Sequence, residues 1–254
     1  MFSLQGQKAL VAGVANDRSV AWGCAQALRA QGADIAMTWM NDKAEDFARP
    51  LAARLGAEIA TALDVTQDAQ MDEVFAMIAA RWGRLDTLVH SIAFAPRPDL
   101  HGRVVDCSAE GFAKAMDISV HSFLRMIRRA EPLMAAGGTC LTVSFLGASR
   151  VVANYNVMGP VKAALESAVR YAASELAAKD IRVHALSPGP IGTRAASGIA
   201  GFDALLSDSV ARAPTGRGVT IEDVGALAAF LASPEARNMT GGVHLVDGGF
   251  SITA

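Results

Sequence analysis

The sequence predicts an α/β fold: a single-domain, doubly wound parallel sheet with helices on both faces. Short, almost continuously apolar runs alternate with longer runs of helical periodicity from end to end. Nearly unbroken apolar strands fit a sheet covered on both sides, because a sheet wetted on one side alternates polar with apolar. Strand–helix–strand repetition with right-handed crossovers then gives the parallel arrangement. No linker, low-complexity tract or short repeat interrupts the pattern, so residues 1–254 are read as one domain.

The elements follow in order. "KALVAG" is the first strand, and a turn leads into a helix over 20–31. "DIAMTWM" and "EIATALDV" are the second and third strands, each followed by a periodic segment, 43–54 and 68–82. "LDTLVHSI" precedes a helix predicted over 109–130, and "GTCLTVSFL" one over 157–178. "IRVHALS", a helix over 221–232 and "VHLVDG" complete the pattern. Residues 188–218 are too long for an ordinary connection, and loops of that length in compact domains are usually functional. They follow a strand's carboxyl end, where open α/β sheets bind ligands. Ala195, Ile199, Phe202, Leu205 and Leu206 recur there at helical spacing, which predicts one or two short amphipathic helices. Gly198, Gly201, Gly216 and Gly218 flank them, so a hinged lid is expected over about 190–215, mobile without ligand.

Composition narrows the partners. The chain is 52% hydrophobic and 19% charged with a net charge of -2, which offers no basic field for nucleic acid. No segment has the 18 or so uninterrupted apolar residues of a membrane helix. The start, "MFSLQGQKALVAGV", lacks a basic head and cleavage site, so a cytoplasmic protein is expected. Cys24, Cys107 and Cys140 are an odd count without metal-ligand spacing and read as reduced thiols. His90, His101, His121, His184 and His244 are scattered, so no metal site is expected. A small-molecule partner fits best.

Two motifs carry chemistry. In "LVAGVANDRSVAWG" a glycine-bearing turn lets backbone amides approach a pyrophosphate at a helix N-terminus. Only Gly13 and Gly23 are glycines, with Ala15 and Ser19 between them, so the ordinary three-glycine fingerprint is broken and a plain turn explains it as well. In "NYNVMGPVKAALE", Tyr155 and Lys162 stand seven positions apart. On a helix that spacing puts both on one face, roughly 10 Å apart along the axis. Taken alone, a surface tyrosine and a solvated lysine remain the alternative. Met40 ends the second strand, where NAD enzymes often carry an acid and NADP enzymes a basic group; "WMNDK" has neither at the strand end.

The spacing Gly-x-Ala-x3-Ser-Val-Ala-x-Gly resembles the modified dinucleotide loop of the enoyl-acyl-carrier-protein reductases, a divergent branch of the short-chain dehydrogenase/reductases. "NDKAEDFA", "DVTQDA", "HSIAFAP", "GFAKAMDIS", "NYNVMG", "TIEDVG" and "VDGGFSI" resemble that family's segments in its order. The resemblance implies a Rossmann-type fold and reduction of trans-2-enoyl thioesters, in fatty acid biosynthesis, by NADH. It implies Tyr155 as the catalytic phenol and Lys162 as the lysine holding the nicotinamide ribose. For the cofactor it further implies Gly13, Ser19 and Val20 at the pyrophosphate, Asp64 and Val65 at adenine, and Ser91 and Ile92 along the riboses. Ile191 to Ala195 would meet the nicotinamide amide, with Thr193 on phosphate. Ala95, Phe145, Ile199 and Phe202 would line the substrate. By its residues alone, Asp64 is equally a turn or helix cap. NADH is expected over NADPH, since only Lys43 is near the second strand's end to meet a 2′-phosphate.

Such chemistry needs these groups. Hydride delivery to the β-carbon builds charge on the thioester oxygen, and a neutral phenol is a placed donor for that enolate. The family further implies an acyl-carrier-protein thioester and a homotetramer; apolar residues over more than one face of 109–130 and 157–178, including Phe112, Met116, Phe123, Val169 and Tyr171, agree. Several positions depart from the family. Phe145 stands where many members have a second tyrosine, Pro160 and His184 are unusual, and Gly192 replaces a common arginine, with Arg194 two residues on. Ala200, Asp203 and Ala204 replace lid positions that are basic in some members. A carbonyl or alcohol oxidoreductase, or a paralogue for an unusual acyl substrate, stays open; Gly159 in place of lysine counts against the former.

Overall fold

A computed structural model of the chain describes residues 2–194 and 196–253. Along it run β1 (Lys8–Ala12), α1 (Val20–Ala30), β2 (Asp34–Trp39), α2 (Asp42–Leu55), β3 (Ile59–Ala62), α3 (Asp68–Trp82), β4 (Thr87–His90) and α4 (Arg97–His101). Then come α5 (Ala109–Met116), α6 (Ser122–Ala130), β5 (Gly138–Val143), α7 (Met158–Leu176), β6 (Ile181–Pro188), α8 (Phe202–Arg212), α9 (Ile221–Ala232) and β7 (Val243–Val246). The strands form one sheet in the order β3-β2-β1-β4-β5-β6-β7, with every neighbouring pair parallel.

Successive strand side chains point to opposite faces, and each face of this sheet has its own core. Ala9 and Val11 of β1 pack with α1, α2 and α9; Leu10 and Ala12 pack with α3, α6 and α7. That is why the strands read as continuous apolar runs. The edge strand β7 is wetter, with Leu245 52% exposed. Among the described residues, no helix is long and apolar enough to cross a membrane.

Local chemistry sets the helix ends. The Asn41 side chain accepts the Ala44 amide at the start of α2, and left-handed Gly56 ends it. Thr220 and Asp223 form a reciprocal capping box on α9. That helix lies tight on α1, since a Cβ at Gly23 would fall 2.7 Å from the Ile221 carbonyl carbon. Gly23 therefore serves helix packing, which fixes where the N-terminus of α1 points.

The span predicted as one helix over 109–130 is continuous but not uniform. A π-helical turn at Asp117–His121 joins α5 to α6. It brings two buried serines to β4 and the loop beyond. Ser119 Oγ accepts the Phe94 amide at 3.0 Å, and Ser122 Oγ meets His90 Nε2 at 2.8 Å. Within 188–218 the structure has a 3-10 turn at Ala196–Gly198 and then α8, in keeping with one or two short helices. Gly201 (φ 71°) and Gly216 (φ 62°) supply the left-handed corners at either side of α8. The chain leaves β1 toward β2 and β3, then re-enters on the other side at β4. Ligands bind at such a switch point, beyond the carboxyl ends of the strands.

Candidate active site

A cavity of about 250 Å³ opens at that switch point. Its floor is the end of β1 and the start of α1, through Gly13, Ser19 and Val20. Ser91, Ile92 and Ala95 follow β4, and Val143, Ser144 and Phe145 end β5. Tyr155, Met158 and Lys162 form one wall, and Ile191, Thr193, Ile199 and Phe202 come from the long segment after β6.

The floor fits an anion. Gly13 has φ 99°, and a Cβ there would lie 2.9 Å from Ile92 Cγ1 and closer still to the Ser91 carbonyl oxygen. Only glycine lets β1 and β4 come this close. Ser19 stands at the N-cap of α1 without a side-chain capping bond; its hydroxyl donates to Asn16 O at 2.6 Å instead. The Trp22 amide donates to Ser19 O at 2.9 Å, and the Val20 and Ala21 amides are left to a ligand, with the positive end of the helix behind them.

Tyr155 corrects one expectation. It is not on the helix with Lys162, because α7 begins at Met158. Asn154 (φ 62°) and Asn156 (φ 46°) flank it in left-handed conformations, which no α-helix accommodates. The turn is held from outside: Asn154 Nδ2 donates to Ala200 O at 2.9 Å and Asn156 Nδ2 to Leu100 O at 2.7 Å. Pro160 falls in the first turn of α7, where its missing amide breaks no helical bond. Tyr155 and Lys162 still line the same cavity, the first by a turn and the second by a helix.

Both groups are buried, Tyr155 at 7% and Lys162 at 4% exposure. Burial, and secondarily the Glu166 carboxylate, holds the phenol above the usual tyrosine range, so it stays a proton donor. Its ring packs against Phe145, with centroids 4.8 Å apart at 56°, and over the bare Cα of Gly147. Lys162 Nζ donates to Val143 O at 2.6 Å, which leaves two of its three donors for other partners. Burial lowers the ammonium to about 8, against an opposing pull from Glu166.

The other titratable groups play different parts. His90 is fully buried between Thr142 and Ser122, and burial lowers it to about 3. His184 and His244 pair at 3.0 Å on β6 and β7. The thiols of Cys24 and Cys140 are buried and pushed up to about 12, which makes them inert.

Three expected cofactor residues do not join the cavity. Met40 is 56% exposed just past β2. Asp64 Oδ1 accepts from the Thr66 amide at 2.9 Å and the Thr66 hydroxyl at 2.8 Å, a turn cap, so its carboxylate is already engaged. Val65 is 4% exposed and packs in the core. All three stand beyond β2 and β3, on the far side of β1 from Lys162. Ala195 lies outside the described residues. Ser144, Gly147, Leu100 and Glu166 escaped the sequence; Gly147 and Leu100 belong to no periodic run, and Ser144 meets Glu166 across 22 residues of chain.

Strand order and crevice together define a Rossmann-type dinucleotide-binding fold of the short-chain dehydrogenase/reductase class. The family model described as enoyl-(acyl carrier protein) reductase matches residues 13–251. Enoyl-acyl-carrier-protein reductase (NADH) 1 of Rhizobium meliloti is 47% identical over 97% of this chain and 91% of its own length. The enzyme of Anaplasma phagocytophilum, solved in complex with NAD, is 42% identical with a TM-score of 0.94 over 99% of this chain and 97% of that one. The Bacillus cereus enzyme, solved with NADP+ and an indole naphthyridinone, is 42% identical with a TM-score of 0.96, and each chain is covered 100%. The chain belongs to the enoyl-acyl-carrier-protein reductase family.

Proposed function

We propose that this chain is an NADH-dependent enoyl-acyl-carrier-protein reductase, which reduces trans-2-enoyl thioesters to saturated acyl thioesters in fatty acid biosynthesis. The observation that carries it is a buried phenol and a buried ammonium sharing one largely apolar cavity at the switch point. Gly13, Ser19 and Val20 would hold the pyrophosphate, Ser91 and Ile92 the riboses, and Ile191 and Thr193 the nicotinamide side. Met40, Asp64 and Val65 are left to the adenine end, where Asp64 and Val65 would act through backbone and shape. Ala195 is retained on the nicotinamide side.

When bound, the dihydronicotinamide would supply the hydride that the β-carbon of the substrate receives. Tyr155 donates a hydrogen bond to the thioester oxygen as enolate charge develops there, and the protonated phenol then supplies or relays the proton that the α-carbon takes up. Lys162, anchored on Val143, holds the ribose so that donor and acceptor carbons meet, and its charge favours the enolate. Phe145, Ala95, Ile199 and Phe202 give the acyl chain an apolar wall. Residues 190–215 act as a lid that covers this chain and keeps water from the enolate.

Phe112 (42% exposed) and Tyr171 (71%) offer apolar area on α5 and α7, which supports a homotetramer; Phe123 and Val169 are fully buried and belong to the single-chain core. Free cysteines fit a reducing compartment, and the cytoplasm is proposed. The test is substrate choice. With NADH, crotonyl and 2-decenoyl thioesters should be reduced and an acetoacetyl thioester should not, and NADPH should work less well. Reduction of the ketone instead would make the chain a carbonyl reductase.

A further inference from the structure

Glu166 has no task in that chemistry, yet it stands one helical turn beyond Lys162 on α7, so both leave the same face of the helix, each bonded to the end of β5 rather than to the other. Its Oε1 accepts the Ser144 hydroxyl proton at 2.5 Å. Ser144 is 2% exposed, and its amide donates to Leu186 O at 2.7 Å, which fixes it at the end of β5. The residue before it, Val143, offers the carbonyl that receives Lys162 Nζ. Lysine and glutamate thus grip successive residues of one strand end from successive turns of one helix.

A lysine this buried has little water to stabilise its charge. The titratable groups around it are Tyr155 from the turn before α7, His90 from β4 and Glu166 from its own helix. Tyr155 is held protonated and His90 is held neutral, so neither offers a negative charge at neutral pH. Among the described residues, Glu166 is the carboxylate that acts on Lys162, and it favours the ammonium against burial.

We propose that Glu166 is a positioning residue of the reductase site: its carboxylate keeps the Lys162 ammonium charged and, through Ser144, steadies the strand end that anchors it. The proposal rests on Lys162 serving the cofactor as described above. Glu166 itself touches neither substrate nor cofactor; it acts through Lys162.

Nitrogen-detected NMR of the lysine side chains in the full-length protein tests it. The Lys162 signal is assigned by its loss in Lys162→Arg. Glu166→Gln keeps an acceptor for Ser144 but removes the charge. It should lower the Lys162 midpoint by about one pH unit or more, as expected for loss of an adjacent opposite charge. The alkaline decline of NADH affinity should move down with it, and Glu166→Asp should restore most of the shift. A wild-type midpoint in Glu166→Gln overturns the proposal. If that variant does not fold, Ser144→Ala decides: it removes the hydroxyl that holds the carboxylate, so the Lys162 midpoint should change, and a wild-type midpoint there overturns the proposal equally. The cofactor assignment fails separately, if Lys162→Ala binds NADH as tightly as wild type while Glu166→Gln still lowers the midpoint.

Discussion

Gly147→Ala puts one methyl group against the proposed catalytic phenol. Gly147 lies in the 3-10 turn after β5, directly over the Tyr155 ring. A Cβ there would stand 2.7 Å from Tyr155 Cε1, against 3.4 Å for an ordinary contact, and nearer still to Cδ1. The ring must therefore retreat by about 1 Å, and a misplacement of that size at a reacting group costs about 100-fold in rate. It has little room, with Phe145 on one side and the two left-handed asparagines fixing its backbone. Overpacking of this kind also destabilises by about 1–3 kcal/mol, roughly 2–4 °C in Tm per kcal/mol for a chain of this size. Steady-state oxidation of NADH with crotonyl thioester should show kcat lowered about 100-fold. Calorimetry should show NADH affinity unchanged, because Lys162 and the Gly13 turn are untouched. A wild-type kcat would refute the claim that the ring's position limits the reaction. An equal loss of NADH affinity would show that the turn supports the cofactor instead.

Other consequences follow from the same geometry. Lys162 loses its proton near pH 8 in the free protein, below its ordinary 10.5, so NADH affinity should fall as pH rises through about 8; a flat fluorescence titration across that range would contradict the ribose role. The unfolded chain keeps that proton up to the ordinary lysine range, so this group's contribution to stability is least favourable below about 8 and improves as pH climbs toward 10.5, which pH-dependent denaturation would read. Residues 193–210 should exchange amide hydrogens quickly in the free protein and slowly once NADH and an acyl analogue are bound; equal, strong protection in both states would make the segment a rigid wall. Light scattering at micromolar concentration should give a tetrameric mass, and a monomeric mass would reject the homotetramer.

Much of the fold was legible because burial on both faces leaves a plain mark. β1 to β6 read as apolar runs, and 68–82 and 221–232 coincide with α3 and α9. What stayed hidden lacks a period. α4 has five residues, too few for an amphipathic repeat, and the π turn at Asp117–His121 lies inside one unbroken helical run from α5 to α6, with no Gly or Pro to mark it. Tyr155 looked helical because Met158 onward is helical, whereas two asparagines in left-handed conformations decide otherwise. Most of the candidate site was legible through ordered resemblance: thirteen predicted residues, from Gly13 to Phe202, line one cavity. Asp64 is the instructive exception, since a carboxylate after a strand serves a turn as readily as a ligand, and here it caps Thr66. Ser144 and Glu166 meet only through the register of α7 on β5, which no local pattern records.

The central claim is a division of labour between two buried side chains, and two variants test it together. Tyr155→Phe should lower turnover of a trans-2-enoyl thioester while NADH titrates with wild-type affinity, because the phenol acts on the substrate oxygen. Lys162→Ala should weaken NADH binding in the same calorimetric titration, because its ammonium serves the ribose. Tight NADH binding by Lys162→Ala, or wild-type turnover by Tyr155→Phe, would contradict the account.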